Sequence, residues 1–320
     1  MCRPGTRWAR GSAKGGDSLA GVSVIETQGL TKRYGTAPGI EDVTLSVEAG
    51  EVFGFLGPNG AGKTTTIRTL LDLLHPSEGS ARIFGLDSRR DSVAIRARLG
   101  NLPGDFGFGP ATSGREMVAL LARLRGLDGL GRAEQLASRF RADLDRPLGE
   151  LSRGNRQKIG LISAAFHEPE LLILDEPTGG LDPLMQEEFL ALVAEERERG
   201  RTVFLSSHEL DEVQRVCDRV AIVRGGRLIA TERIDDLLGR ARRRVSVELA
   251  EPADLNAELR GLPGVDDVTA EGRRLSLTVA GDVDPLLKAL ATHHVTDLEV
   301  SRPSLEEVFL GYYRGEGEGR

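Results

Sequence analysis

The feature that most constrains this chain is a glycine-rich segment between an apolar run and a helical pattern. Residues 57–64 read Gly-Pro-Asn-Gly-Ala-Gly-Lys-Thr, which fits the pattern G-x-x-x-x-G-K-[ST]. The apolar run covers residues 52–56, and the helical pattern covers residues 65–74. Glycines let successive backbone N–H groups turn toward a polyphosphate, and the N-terminus of the next helix presents its positive dipole to the same anion. The pattern predicts a phosphate loop, with an ordinary glycine-rich turn as the alternative.

The side chains of this segment have separate expected roles. Lys63 is expected to reach the β- and γ-phosphates of a nucleotide, because its ammonium group is the positive charge of the loop. The hydroxyl of Thr64 is expected to bind Mg²⁺. The predicted nucleotide-binding residues here are Gly57, Pro58, Asn59, Gly60, Ala61, Gly62, Lys63, Thr64 and Thr65.

A pair of acids follows a second apolar run. Residues 171–174 read Leu-Leu-Ile-Leu, and Asp175, Glu176 and Pro177 come directly after them. An acid at the end of a strand beside a phosphate loop can hold Mg²⁺ directly or through water, which assigns that role to Asp175. Glu176 is then placed to act as the base that polarises the attacking water. The alternative is two solvated acids in a loop.

The order of the elements predicts an α/β fold. Strand patterns at residues 22–27, 43–47, 51–56, 171–174 and 202–206 alternate with helical patterns, including one at residues 115–124. Such alternation predicts a mostly parallel sheet with helices on its faces, as in a P-loop NTPase core. The functional crevice is expected at the carboxyl ends of the strands.

The pattern changes after about residue 238. Strands at residues 244–249, 265–270, 275–279 and 297–301, with helices at 253–261 and 285–292, predict a β-α-β-β-α-β unit, which is a small α+β domain of ferredoxin-like kind. Ser304 and Glu307 then form a capping pattern that opens a last helix.

Composition limits the class of protein. No apolar run approaches the roughly 18 residues of a membrane-spanning helix. The two cysteines, Cys2 and Cys217, are too few for a disulfide scaffold and indicate a reducing, cytoplasmic context. The net charge is −7, and it becomes −10 (38 basic against 48 acidic residues) without residues 1–20, which argues against non-specific binding of nucleic acid.

Residues 1–21 are predicted to be a disordered basic tail, or the product of an upstream start codon chosen in error. They contain Arg3, Arg7, Arg10 and Lys14 but no apolar central region. A signal peptide requires such a region, so these residues are not predicted to be one.

Three further segments join the phosphate loop and the acid pair in a fixed order. They are Leu-Ser-Arg-Gly-Asn-Arg-Gln at residues 151–157, Gly-Leu-Asp at 180–182 and Ser-Ser-His at 206–208. The ordered set, from about residue 24 to residue 239, resembles the ATP-binding cassette (ABC) ATPases. The rest resembles the accessory domain of many bacterial ABC exporter subunits, which ends in a helix of the type seen here at 304–309. The resemblance implies a nucleotide-binding domain at 22–239 with a helical subdomain at about 106–167, an accessory domain at 240–314 and a tail at 315–320.

The resemblance implies a site shared between two chains. In this family the signature, here Ser152 and Gly154, contacts the γ-phosphate of ATP held by the opposite subunit, and Asp182 lies across the interface. Each motif occurs once, so a dimer with a second ABC ATPase subunit, the same chain or a related one, is expected around two ATP molecules. Taken by itself, the signature is also the pattern of a plain helix cap.

Two more residues receive roles from the resemblance. Tyr34 would stack on adenine, the alternative being a core or surface tyrosine. His208 would contact the γ-phosphate and hold Glu176 and water in line. The family usually has a glutamine that senses Mg²⁺, but Gly104 stands at that place here. Asp105 either supplies the oxygen through water or has a simple loop role.

The leading hypothesis is an ATP-hydrolysing subunit of an ABC transporter. It would use ATP and Mg²⁺, associate with the inner face of the membrane through an integral membrane permease that docks on the helical subdomain, and drive export. A soluble ABC ATPase that acts on ribosomes or DNA is the runner-up. A P-loop kinase is a third possibility, but it does not explain the signature and the histidine together.

Overall fold

The protein is described here from a computed structural model that covers residues 23–35, 37–240, 243–253, 255–301, 305–306 and 309. The predicted tails at 1–21 and 315–320 lie outside the described residues, as do Ser304 and Glu307 of the predicted last helix. Among the described residues, none of the helices has the length and apolar character needed to cross a membrane.

Strands and helices alternate through residue 240, as the sequence predicts. The strands are β1 (Ser23–Tyr34), β2 (Ala37–Glu48), β3 (Val52–Leu56), β4 (Glu78–Ile83), β5 (Leu86–Asp87), β6 (Leu99–Leu102), β7 (Leu171–Asp175), β8 (Thr202–Ser207), β9 (Arg219–Arg224) and β10 (Arg227–Arg233). The helices are α1 (Lys63–Leu70), α2 (Ser92–Arg98), α3 (Gly114–Leu124), α4 (Gly131–Phe140), α5 (Arg153–Ala165), α6 (Pro183–Glu198), α7 (Leu210–Val216) and α8 (Ile234–Arg240).

A six-stranded sheet forms the centre of this part of the chain. Its order is β10-β9-β3-β8-β7-β6, and its pairs are parallel except for β9 with β10. All residues of β3 and β7 are buried because helices or other strands cover both faces of the sheet. The expectation of a mostly parallel sheet is therefore confirmed. The carboxyl ends of β3, β7 and β8 lie side by side, which brings the loops that follow them together.

The first two strands do not join this sheet, although the sequence predicts them as part of the same alternating pattern. They belong to an antiparallel sheet of order β2-β1-β4-β5. In β2 the side chains of Val43, Leu45 and Val47 are buried and those between them are exposed. That alternation is typical of an antiparallel sheet with one solvated face.

The connection from β6 to β7 is helical. Helices α3, α4 and α5 pack around an apolar core that includes Met117, Phe140 and Ile159. The Ser113 side chain accepts a hydrogen bond from the backbone N–H of Glu116, and the Glu116 carboxylate accepts one from the backbone N–H of Ser113, so a capping box opens α3. Helix α1 begins two residues before its predicted start and ends at Leu70 rather than residue 74.

A second α+β unit follows residue 240. Its antiparallel sheet has the order β12-β13-β11-β14, and its two helices cover one face, so that the predicted β-α-β-β-α-β arrangement is confirmed. Its elements are β11 (Arg243–Leu249), α9 (Asn256–Arg260), β12 (Val265–Glu271), β13 (Arg274–Val279), α10 (Asp284–Leu290) and β14 (Val295–Ser301).

Candidate functional site

The glycine-rich loop connects the buried strand β3 to helix α1. Gly60 and Gly62 have φ angles of 80° and 105°, which side chains with a Cβ rarely adopt. A methyl group placed on Gly62 would lie 2.7 Å from Ile40, and one on Gly57 would lie 2.5 Å from the carbonyl oxygen of Val223. The loop can keep this path only with glycine at these positions. It places the N-terminus of α1 at the carboxyl end of β3, the arrangement that suits a polyphosphate.

Lys63, the first residue of α1, points back into the loop. Its side chain is 5 % exposed, and Nζ donates a hydrogen bond of 2.5 Å to the carbonyl oxygen of Gly57. The same Nζ lies 2.9 Å from Oε1 of Glu176. The loop lysine and the predicted base are therefore direct neighbours, although 113 positions separate them in the sequence.

Asp175 ends strand β7 and is almost fully buried. The hydroxyl of Ser206, on the neighbouring strand β8, donates a hydrogen bond of 2.6 Å to Oδ1 of Asp175. The other carboxylate oxygen, Oδ2, faces Gly104, where an added methyl group would lie 3.0 Å away. The absence of a side chain at residue 104 leaves space beside this oxygen.

Glu176 is held in an uncommon backbone conformation. Its φ angle is 51°, in the left-handed region, where non-glycine residues are found mainly when their surroundings fix them. Its backbone N–H donates to Oγ of Ser206, at 3.1 Å. Nδ1 of His208 lies 2.5 Å from Oε2 of Glu176, which is hydrogen-bonding distance. Lys63 and His208 thus hold opposite oxygens of one carboxylate.

Two residues that the sequence did not single out support the acid pair. Nε2 of Gln157, on α5, donates to the carbonyl oxygens of Glu176 and Pro177, both at 3.0 Å. Ser206 bonds both Asp175 and Glu176. Gln157 is the last residue of the signature segment and Ser206 the first of the segment that contains His208, so both lie within motifs whose other residues received roles.

A third unpredicted contact joins the loop after Glu176 to helix α7. The hydroxyl of Thr178 donates a hydrogen bond of 2.9 Å to Oε2 of Glu212. Burial raises the pKa of Glu212 to about 7, and the nearby charges of Glu209 and Glu176 act in the same direction, whereas the Thr178 hydrogen bond and His208 lower it. No short motif predicts this pair, because it joins two elements that are adjacent only in the folded chain.

The signature forms the start of α5. Ser152 is the N-cap residue, and its side chain accepts a hydrogen bond from the backbone of Asn155 at 3.3 Å. Gly154 lies so close to the next loop that an added methyl group would stand 2.2 Å from the carbonyl oxygen of Gly180. The cap predicted as the simpler alternative is present, and the Ser152 side chain is also exposed at the surface.

Asp182 is likewise a helix cap with an exposed side chain. It accepts a hydrogen bond from the backbone of Met185 at the start of α6, and its Oδ2 lies 3.9 Å from Nζ of Lys158. Across the described part of the chain, no hydrogen bond or ion pair joins Ser152 or Asp182 to residues 57–65. The structure therefore gathers Lys63, Asp175, Glu176 and His208 in one place and leaves these two facing outward.

Tyr34 is not a core tyrosine. It ends strand β1 and is 49 % exposed. Its ring packs over Gly39, whose carbonyl oxygen would lie 3.0 Å from a methyl group on Gly62. One backbone segment thus separates the tyrosine ring from the phosphate loop. Asp105, the other residue with an open role, has an exposed side chain in the loop after β6.

Comparisons with known proteins agree with this geometry. A family model described as "ABC transporter" matches residues 40–179, and one described as "ATP-binding protein DrrA1-3-like, C-terminal domain" matches residues 239–313. The bacitracin transport ATP-binding protein BcrA of Bacillus licheniformis is 35 % identical over 232 residues, which are 72 % of this chain and 76 % of BcrA. The daunorubicin resistance ATP-binding protein DrrA3 of Streptomyces coeruleorubidus is 36 % identical over 301 residues, 90 % of this chain and 95 % of DrrA3.

Solved structures give the same result for the fold. An ATP-binding subunit of an ABC transporter, 32 % identical, covers 67 % of this chain and 92 % of its own length with a TM-score of 0.61. The dimeric bacterial ABC transporter cassette MJ0796, 22 % identical, covers 66 % of this chain and 98 % of its own length, also with a TM-score of 0.61. This chain therefore belongs to the ATP-binding proteins of ABC transporters, a family of ATPases.

Proposed function

We propose that this chain hydrolyses ATP at the cluster of Lys63, Asp175, Glu176 and His208, and that hydrolysis drives export through a separate membrane permease. The observation that carries the proposal is the position of Glu176. Its backbone is fixed at a positive φ beside the phosphate loop, and its two carboxylate oxygens contact Lys63 and His208. A carboxylate held in this way has one defined orientation from which to act as a base.

The phosphate loop and α1 would bind the polyphosphate of ATP. Backbone N–H groups from Gly60 onward and the helix N-terminus supply donors, and Lys63 supplies positive charge at the γ-phosphate. Tyr34, with an exposed ring next to the loop, would stack on the adenine. The half-buried hydroxyls of Thr64 and Thr65 stand in the first turn of α1.

The donors present fit Mg²⁺. Within the described residues, no group of three or more His, Cys, Asp or Glu side chains could hold a metal ion by itself. Magnesium is usually held by one or two carboxylates together with waters and substrate phosphates, so Thr64 and Oδ2 of Asp175 are sufficient protein ligands. Gly104 places no side chain against Oδ2, so that this oxygen is left uncovered on that side. When bound, Mg²⁺ neutralises charge on the phosphates.

Glu176 would take the proton of the attacking water. The water oxygen then bonds the γ-phosphorus, the bond to the bridging oxygen of ADP breaks, and ADP and phosphate leave. His208 would keep the Glu176 carboxylate aligned through Oε2. Gln157 and Ser206 fix the backbone on both sides of the acid pair, so the base stays in place during the reaction.

A second cassette would complete each site. Ser152 at the N-terminus of α5 is exposed, which suits contact with a γ-phosphate held by another subunit. Asp182, also exposed, would lie at the same interface. The likeness to a dimeric cassette supports the fold that such a pairing requires. We infer a dimer of this chain, or of this chain and a related one, around two ATP molecules.

The membrane partner would dock on the helical subdomain at about residues 106–167. Phe108, Leu120, Leu124 and Leu127 are exposed there, and α3 or the loops beside it carry all four. An apolar surface of this kind suits a cytoplasmic helix of a permease. The chain would then lie at the inner face of the cell membrane.

Drug or antibiotic export is the transport function supported best. The relatives BcrA and DrrA3 are named for bacitracin transport and daunorubicin resistance, and the match to DrrA3 includes the C-terminal unit. Neither name refers to ribosomes or DNA, and the acidic composition gives no support to that alternative.

Two measurements test this proposal. Glu176→Gln should accumulate as a dimer when ATP is added, because binding continues while hydrolysis slows, and sedimentation velocity would detect it. A strictly monomeric protein at saturating ATP would contradict the shared site. Purification from its own cells in mild detergent should recover a polytopic membrane protein, whereas recovery of ribosomal RNA would overturn the transport assignment.

A further inference from the structure

The last described residues of the chain pack on the cassette instead of on the C-terminal sheet. Leu305 is 2 % exposed and belongs to the apolar core that contains Val213 and Leu237. Phe309 packs against the same core and is partly buried. The core of the C-terminal unit is separate and contains neither residue. Leu305 and Phe309, the described apolar residues of the pattern at 304–309, therefore contact the nucleotide-binding part of the chain.

Helix α7 meets this segment near both of its ends. Near its C-terminal end, Oε1 of Gln214 accepts a hydrogen bond of 2.9 Å from the backbone N–H of Leu305. At its first residue, Leu210 lines a cleft of about 340 Å³ together with Phe309. The cleft residues are Gly57, Pro58, Asn59, His208, Leu210 and Phe309.

The same helix follows His208 after a single residue, Glu209. Glu212, in the first turn of α7, accepts a hydrogen bond from Thr178 in the loop that carries Glu176. A short helix moves as a rigid unit because its backbone hydrogen bonds are internal. Contacts that hold α7 in place therefore also restrict the position of the His208 backbone. The His208 side chain itself is 48 % exposed.

We propose that Phe309 is a positioning residue for His208, acting with Leu305 through helix α7 and the cleft beside the phosphate loop. The proposal rests on the proposed role of His208 in hydrolysis. Its physical basis is that the imidazole has one short contact, 2.5 Å to Glu176, and a longer one, 3.6 Å from Nε2 to Oε1 of the exposed Glu209. It also lines the same cleft as the Phe309 ring, so the ring would limit the space into which the imidazole can turn.

This role connects the C-terminal unit to catalysis. A movement that withdraws Phe309 would widen the cleft next to Pro58, Asn59 and His208 and loosen the histidine. ATP binding would change little, because Lys63 does not line the cleft and keeps its contacts with Gly57 and Glu176. The expected consequence of removing the ring is thus a lower kcat with a nearly unchanged KM.

The test combines kinetics with a spectroscopic signal from His208. The chain has five histidines, so a ¹³C-histidine-labelled sample gives a small set of imidazole signals, and the signal lost in His208→Gln identifies residue 208. Phe309→Ala should shift this signal and lower kcat about 3- to 10-fold, with KM within about twofold. Phe309→Leu, which keeps an apolar side chain in the cleft, should restore most of both.

Leu298→Ala, at an exposed position on β14, is the matched control and should leave the His208 signal in place. Circular dichroism would establish that each variant is folded, and the other imidazole signals would show whether a change is local. An unchanged His208 signal in folded Phe309→Ala would overturn the proposal, whatever the kinetics. Normal hydrolysis by His208→Gln would instead overturn the proposed role of His208, and the imidazole signal would still report whether Phe309 positions it.

Discussion

Two glutamates of the cassette are each held by several basic side chains, yet their surroundings differ. Glu176 contacts Lys63 and His208, is 25 % exposed and has a positive φ. Glu196 is 1 % exposed and lies inside α6, a regular helix. The first carboxylate lies at the carboxyl ends of parallel strands beside a glycine-rich loop. The second belongs to a buried side chain near the end of a regular helix.

The arginines around Glu196 connect parts of the fold. Arg132 of α4 lies 3.5 Å from its Oε1, Arg199 lies 2.7 Å from the same oxygen, and Arg201 contacts Oε2. Nearby, Arg139 of α4 also pairs with Glu188 and Glu195 of α6. This network fastens α4 to α6.

The comparison shows that a charge cluster by itself does not indicate a reactive site. Both glutamates have good ion pairs, but only Glu176 combines partial exposure, a fixed and uncommon backbone conformation and a neighbouring helix N-terminus. The three properties leave room for a substrate and orient the group toward it. If Glu176 is the base and Glu196 is structural, substitutions at the two residues should affect hydrolysis and stability differently.

Glu196→Gln should produce the largest change in stability. It removes the buried negative charge that three arginines, 17 to 41 % exposed, share, and the loss of such a partly screened ion pair costs up to about 3 kcal/mol. Urea unfolding followed by circular dichroism would measure the loss. ATP hydrolysis at a temperature where the variant is folded should stay within about twofold of the unmodified protein. If Glu196→Gln is as stable as the parent protein, or is inactive while folded, Glu196 is not a purely structural carboxylate.

Lys63→Ala should weaken nucleotide binding. It removes a charged hydrogen bond to the phosphates, which is worth about 1.5 to 3 kcal/mol, so affinity should fall about 10- to 100-fold. Titration calorimetry with ATP would measure it. Lys288→Ala, in which an exposed lysine of α10 is lost, is the control. Equal affinities of the two variants for ATP would contradict the proposal that Lys63 of the phosphate loop binds the ATP phosphates.

The smallest effect, on the free energy of unfolding, is expected for Glu212, whose side chain is partly buried. Its pKa of about 7 is above the ordinary 4.5, because burial favours the protonated form. Between these pH values the native protein binds more protons than the unfolded chain, so this residue makes the free energy of unfolding fall as pH rises. Partial exposure limits the effect to about 1 to 2 kcal/mol.

Glu212→Gln should remove this pH dependence and raise stability above pH 7 relative to the parent protein. Thermal unfolding measured at several pH values would reveal it. Parallel pH profiles for the two proteins would mean that Glu212 does not titrate in this range. Glu198→Gln, an exposed acid of α6, serves as the control for the loss of a carboxylate.

The local parts of the site could be predicted from the sequence. Residues 57–64 form the loop and the start of α1, and Asp175 ends a strand that Glu176 follows, because each motif occupies consecutive positions between recognisable elements. Gln157, Ser206 and the Thr178–Glu212 pair could not be found in this way. Their contacts join residues 19 to 34 positions apart, and only the packing of α5, β8 and α7 around β7 brings them together.

The fold likewise contains pairings between distant residues that no local sequence pattern predicts. Hydrophobic patterns located β3, β7 and β8 of the central sheet but not β6, β9 or β10. They located β1 and β2 without indicating that these strands form a separate sheet, in which β1 pairs with β2 and also with β4, residues 78–83. Likewise, the contact of Leu305 with Gln214 spans 91 positions and has no local signal.

The rate of ATP hydrolysis by Glu176→Gln tests the central claim most directly. The substitution keeps the shape of the side chain and removes its basicity, so single-turnover hydrolysis should slow by about 100-fold or more while ATP still binds. Glu198→Gln, with its exposed carboxylate replaced in the same way, should hydrolyse ATP at the parent rate. Hydrolysis by Glu176→Gln within about threefold of the parent would show that another group is the base, and would contradict the account.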